Sequence, residues 1–308
     1  MPPPITQKNL PSIVQFPHPG PEAKPDKNSD DKKWSTINVN HTRKFALNEG
    51  KYMCDINSEP IASNDMMFWC EWEPESTVIN TFTKTSAEHP QYLYELWWQS
   101  KKNYRGLHNT DPFIFEQPFK YYNCRQDKRP SLTKLTLGSL ILFGSQLNGQ
   151  FVLDTVFVVG KKVPYTTATY SSDLTKAGVL VSTCFDSVCM HPTTVPPVAT
   201  LYEGVQWNQR NEYNGMFSFF PCLPHEDNMG FARPAITLSG IISNKSGRNI
   251  KNTDNVSNTD CVEVWNEVVR QVTAQGLCLG IEATTPPQKH SNLPPKPNSQ
   301  PFTSSTKC

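Results

Sequence analysis

Apolar residues gather most densely over residues 137–159, Leu-Gly-Ser-Leu-Ile-Leu-Phe-Gly-Ser-Gln-Leu-Asn-Gly-Gln-Phe-Val-Leu-Asp-Thr-Val-Phe-Val-Val. Two β-branched and aromatic runs flank Asn148-Gly149, a pair suited to the positive φ angles of a type I′ turn, so the stretch predicts a long antiparallel hairpin. Both arms are almost continuously apolar, which predicts a sheet covered on both faces. Asp154 interrupts that pattern. A mid-strand carboxylate is costly to bury unless an arginine or several donors meet it, so Asp154 marks either a structural ion pair or the floor of a site.

Elsewhere the periodicity is that of short strands. Residues 13–16 read as one, closed by Pro17-His18-Pro19-Gly20, and 66–73, Met-Met-Phe-Trp-Cys-Glu-Trp-Glu, as a second. Alternation in the second puts Trp69, Glu71 and Glu73 on one face and Phe68, Cys70 and Trp72 on the other. Residues 89–101 are aromatic-rich and read as a short helix or loop. A turn at Asn109-Thr110-Asp111-Pro112 leads to an expected strand over 113–124, and further strands are expected at 178–185, 216–220, 231–238 and 277–283. The one helix, 261–275, has Asp260 as its expected N-cap, Glu263 three residues on, an apolar face of Val262, Trp265, Val269 and Val272, and Gly276 at its stop. Many strands against few helices predict an α+β class, mostly antiparallel, with a sheet that can curl into a barrel. The proline-rich leader 1–12, the charged loop 22–33 and the tail 284–308 are too poor in apolar groups to repay ordering, leaving a single α+β domain over 13–283.

Composition narrows the function classes. Only 19% of the 308 residues are charged and the net charge is +1, which argues against a protein that grips nucleic acid through a general basic surface. The 9 cysteines are odd in number and irregular in spacing, unlike a disulfide framework, and the N-terminus shows neither a charged n-region nor an apolar h-region. No apolar run approaches the length of a membrane span. The expectation is therefore a soluble, cytoplasmic chain with reduced thiols and no membrane partner, in which the sequons at Asn40, Asn244 and Asn255 carry no weight.

Chemistry points first to Glu71 and Glu73. Residues two apart on a strand project from one face roughly 7 Å apart, and carboxylates that close can divide acid and base work between them. Trp69 and Trp72 supply walls on which a planar ring could stack; a solvated edge strand is the bland alternative. His18, braced between prolines, suits proton transfer or anion binding, or is an incidental turn residue. His41 and Arg43 would share a face if extended, making a positive pair for a phosphate or a carboxylate, and are otherwise a solvated basic strand. Arg233, in an apolar strand, should pair with Asp154 or Glu71, chiefly as a structural contact. Asp111 before Pro112 suits a turn, with catalysis the lesser role, and Cys124 is expected to be a buried, inert thiol. Cys184, Cys189, His191, Cys222 and His225 have the residue types of a zinc site but loose spacing, so no metal is assigned. Walker, dinucleotide-binding, Gly-x-Ser-x-Gly and His-Glu-x-x-His motifs are absent, and no cofactor is identified.

Five blocks, Phe16-Pro-His-Pro-Gly20, Phe68-Trp-Cys-Glu-Trp-Glu-Pro74, Asn109-Thr-Asp-Pro-Phe113, Gly138-Ser-Leu-Ile-Leu-Phe-Gly144 and Leu153-Asp-Thr-Val-Phe157, resemble those of an uncharacterised bacterial family. That family is similar to domains associated with nucleotide or DNA-base modification, some of which have a PUA-like barrel. The resemblance implies a pocket for a modified or flipped base in a protein working beside DNA-modifying or antiviral defence enzymes. The expected function is thus an enzyme acting on a nucleobase, free or within DNA. In it Glu71, Glu73, His18 and Asp154 would handle protons, while Trp69, Trp72, His41, Arg43, Asp111 and Arg233 would hold the substrate. A non-catalytic reader of a modified base, a carbohydrate-active hydrolase and a scaffold are the alternatives.

Overall fold

The structure is a computed structural model that describes residues 10–21, 43–72, 74–83, 88–98, 110–166, 168–169, 198–225, 230–244 and 249–289. In chain order its strands are β1 (Ile13–Pro21), β2 (Arg43–Met53), β3 (Ile61–Glu71), β4 (Ser76–Thr81), β5 (Tyr92–Leu96), β6 (Lys120–Tyr121), β7 (Leu140–Leu147), β8 (Gln150–Tyr165), β9 (Ala199–Gly204), β10 (Phe220–Pro224), β11 (Lys251–Thr253) and β12 (Cys278–Ala283). They form two sheets. The first runs β11-β1-β7-β8-β9-β6 and the second β12-β10-β3-β2-β5-β4. Among the described strands, every pairing except β1–β7 and β2–β5 is antiparallel.

The expected hairpin is the spine of the first sheet. Asn148 and Gly149, at φ 54° and 77°, turn β7 into β8 with Leu147 opposite Gln150, and all eight residues of β7 are buried. Its side chains alternate between two cores: Ile141 and Phe143 enter one, Leu140 and Leu142 the other. β3 divides in the same way, Phe68 and Cys70 joining the first core while Met67 and Trp69 join the second. That is the two-faced coverage that continuous apolar runs require.

The second sheet closes partly on itself. β12 pairs with β2 as well as β10, so β2, β3, β10 and β12 form a ring, the barrel-like part of the fold. Gly280 permits the closure, because a Cβ there would collide with the Phe220 ring. The two sheets meet where Phe219 bridges to Val156 of β8, and where Phe113 and Phe115 bridge to Lys120 and Ala283. Helix α1 (Asn258–Thr273) covers the second core with Cys261, Val264, Trp265, Val268, Val269 and Val272. Its cap is Ser257, whose hydroxyl accepts from the Asp260 amide, rather than Asp260 itself. Gly276, at φ 77°, ends it as expected.

Several expectations need correction. β1 continues through the Pro17-His18-Pro19-Gly20 segment, absorbing it as a register shift against β7 between Pro17 and Pro21. The aromatic stretch after residue 89 contains strand β5, held parallel to β2 and antiparallel to β4. Residues 113–124 and 231–238 supply isolated bridges and the two-residue β6 rather than full strands. The leader up to residue 9, the charged loop and the proposed strand at 178–185 lie outside the described residues. Past Ala283 the chain still pairs, with the Thr284 amide on the Glu49 carbonyl and Gln288 bridging Trp98. Contrary to the expectation of unpaired thiols, Cys54 and Cys278 form a disulfide. Among the described residues, no helix is long and apolar enough to cross a membrane.

Candidate functional site

Four charged side chains foreseen separately in the sequence meet at one buried point. The register of β7 against β8 slips between Phe143, opposite Thr155, and Gly144, opposite Leu153, leaving Asp154 as the extra residue of a bulge. Bulges re-aim side chains, and this one lets Asp154 reach across to the second sheet. Gly144 is needed there, since a Cβ would run into the Val152 carbonyl and the Phe151 ring. Arg43, first residue of β2, lies directly across the ladder from Glu71, last residue of β3. Its Nη1 is 3.1 Å from Glu71 Oε2 and its Nε donates to Asp154 Oδ2 at 2.5 Å.

Arg233 arrives from a segment laced to β8 by the Leu153 amide on Pro234 O and the Ile236 amide on Phe151 O. Its Nη1 lies 3.3 Å from Asp154 Oδ1 and donates to Ser145 Oγ at 2.5 Å, and its guanidinium sits 5.2 Å from the Trp69 ring centre. All four charged residues are at most 4% exposed. Their formal charges sum to zero, which is the condition under which buried ions are tolerated at all. A solvated edge strand at Glu71 is thereby excluded, and Arg233 has the Asp154 partner expected of it.

The other candidates divide. The backbone of His18 lies in β1, two strand spacings or roughly 10 Å from β8, at the level of β7 between Gly144 and Gln146. Glu73 and His41 lie outside the described residues. Trp69 of β3 and Trp72, just past its end, enter opposite cores, as the alternation predicts, but neither offers an open wall, because both cores are packed. Trp69 donates to Phe231 O and packs on Phe45; Trp72 donates to Glu75 O and packs on Phe115. Both are at most 2% exposed.

Asp111 is the turn anchor that Asp-Pro implies. Its carboxylate accepts the amides of Tyr122, Asn123 and Cys124 at 3.2, 2.9 and 2.7 Å. Burial pushes its pKa up to about 7 against the pull of those amides, and the charge of Glu71 adds to the rise. Burial also pushes the Cys70 thiol up to about 12, opposed by Lys44 and Arg43. Cys124 is buried, as expected.

Of the zinc candidates, Cys184, Cys189 and His191 lie outside the described residues. Cys222 is a core residue of β10 whose thiol burial raises well above its ordinary pKa, and the His225 amide is bonded to Asp65 O. Among the described residues no group of His, Cys, Asp or Glu is placed to hold a metal ion. Two side chains were missed. Ser145 was visible as a hydroxyl breaking an apolar run, with a register countable back from Asn148-Gly149. Lys120 had no local signal: its ammonium is buried 3.5 Å from Glu116 and 5.7 Å from the Phe113 ring centre, and burial lowers its pKa. No protein-family model matches the chain, and neither a curated protein nor a solved structure does.

Proposed function

We propose that the protein modifies a nucleobase, free or within DNA, at the cluster formed by Arg43, Glu71, Asp154 and Arg233. The observation that carries this reading is the convergence itself. Three strands, drawn from both sheets, and the segment that carries Arg233 bring two guanidiniums and two carboxylates to one point inside an otherwise apolar core. Such a cluster offers donors and acceptors in fixed planes, the pattern that reads the edge of a heterocycle. Glu71 would take the ring N–H, Arg43 and Arg233 would orient the two carboxylates, and His18, on β1 two strand spacings from β8, is the further candidate for proton transfer. The resemblance of five sequence blocks to base-modification-associated domains supports the same direction, as does the near-zero net charge, which suits an enzyme delivered to its substrate by a partner protein.

Mass spectrometry of nucleosides from total DNA and RNA, with and without the gene, tests it. A nucleoside that appears or disappears with the gene, and does so no longer with Glu71→Gln, is the expected result; identical profiles would refute the reading. One observation favours a non-catalytic reader as the second reading: Glu71 and Asp154 already face guanidiniums, an arrangement better suited to gripping a ligand than to cycling protons. A reader tolerates His18→Ala without complete loss of binding, whereas the enzyme does not tolerate it. The carbohydrate-active alternative draws no support from the two indoles, since neither presents a face to a sugar.

A further inference from the structure

We infer that the Cys54–Cys278 disulfide is a thiol-reversible latch on the seam that closes the strand ring. Cys54 directly follows β2 and Cys278 opens β12, and the next residues inward, Met53 and Leu279, are the terminal pair of the β2–β12 ladder. The bond therefore clamps the open end of that seam, across 224 residues of sequence. Cys54 is exposed, on a turn where Ser58 N–H meets Asp55 O, whereas Cys278 is buried. Attack from solvent is thus directed at the Cys54 side.

A thiolate from a small thiol bonds to Cys54 Sγ, the Cys54–Cys278 bond breaks, and Cys278 leaves as a thiolate that takes up a proton. A second thiol then releases Cys54 and departs as the oxidised disulfide of the reductant, two electrons having passed to the protein. The fold also supplies a rival and silences it. Cys222 on β10 is the direct cross-strand neighbour of Cys278, a spacing within disulfide reach, but burial holds its thiol protonated and so a poor nucleophile. Cys70, Cys124 and Cys261 are buried as well, leaving Cys54 as the exposed cysteine among the described residues.

The test is differential alkylation of the folded full chain, before and after millimolar dithiothreitol, read by peptide mass spectrometry, with hydrogen exchange at the seam. Before reduction Cys54 and Cys278 should resist alkylation as one linked peptide pair. After reduction in native buffer Cys54 should alkylate, and protection at Met53, Leu279 and Gly280 should fall at least tenfold. A Cys54→Ser variant should show that low protection with or without dithiothreitol. The inference is overturned if Cys54 alkylates before reduction, if Cys278 is found linked to Cys222 or another cysteine, if the bond yields only on unfolding, or if reduction leaves seam protection unchanged.

Discussion

Arg43 touches carboxylates from both sheets, Glu71 of its own and Asp154 of the other, so its removal strips both carboxylates of a partner, whereas removal of Arg233 affects Asp154 alone. Arg43→Met should cost about 3–5 kcal/mol, the usual penalty for breaking a buried pair from one side. Arg233→Met should cost less, because Asp154 keeps Arg43. Urea unfolding of the two variants decides it, and equal losses would mean that the charges are not coupled as the geometry requires. Asp111 makes a different signature. Its pKa lies above the ordinary 3.8, at about 7, so between those values the folded state binds the proton that the unfolded state has released. Its contribution to stability is complete below pH 3.8 and is lost as pH rises through about 7. Asp111→Asn should erase that decline. It should also lower stability by about 1–3 kcal/mol, through weakened acceptance of the three amides. Unfolding midpoints measured from pH 4 to 8 would show a slope in the parent that persists in the variant if another group were responsible.

At the scale of elements, what could be read from the chain followed periodicity. The β7–β8 hairpin, the alternating faces of β3, helix α1 and β12 were legible because their apolar period and their turn or stop residues agree. β2 was not, since Arg-Lys-Phe-Ala-Leu-Asn-Glu-Gly-Lys-Tyr-Met looks solvated until Glu71 is placed across the ladder from Arg43. Long-range pairing has no local signal, which is also why the indoles of Trp69 and Trp72 look like open walls in the sequence and are core in the structure. The Asp154 bulge lies between these cases: the misplaced carboxylate was visible, the slip that aims it was not. Two glycines test how much that slip depends on space. Gly144→Ala would press on the Val152 carbonyl and the Phe151 ring, and should cost about 2–3 kcal/mol by overpacking. Gly138→Ala, at φ 81° with open space around it, should cost about 1 kcal/mol from backbone strain alone. Thermal unfolding that ranks Gly138 as the more sensitive would show that the bulge gives way easily.

For the whole molecule, the question is why an apolar junction between two sheets carries four ions. Stability is a weak answer, because well-packed apolar replacements of a buried ionic cluster are often neutral or stabilising by about 1–4 kcal/mol. Specific alignment of the sheets is a better one, but the contacts of Phe219 with Val156 and of Phe115 with Ala283 already join them without charge. Chemistry is the reason proposed above, and it separates from the others in one experiment. A variant carrying Arg43→Met, Glu71→Leu, Asp154→Leu and Arg233→Met together removes every charge and leaves none unpaired. If the ions are kept for a substrate, this variant folds with a midpoint at or above the parent and abolishes the gene-dependent change in nucleosides. If they are kept to align the sheets, it loses cooperative unfolding and near-ultraviolet dichroism. A variant that stays cooperative and still changes the nucleoside profile would remove the cluster from the proposed reaction altogether.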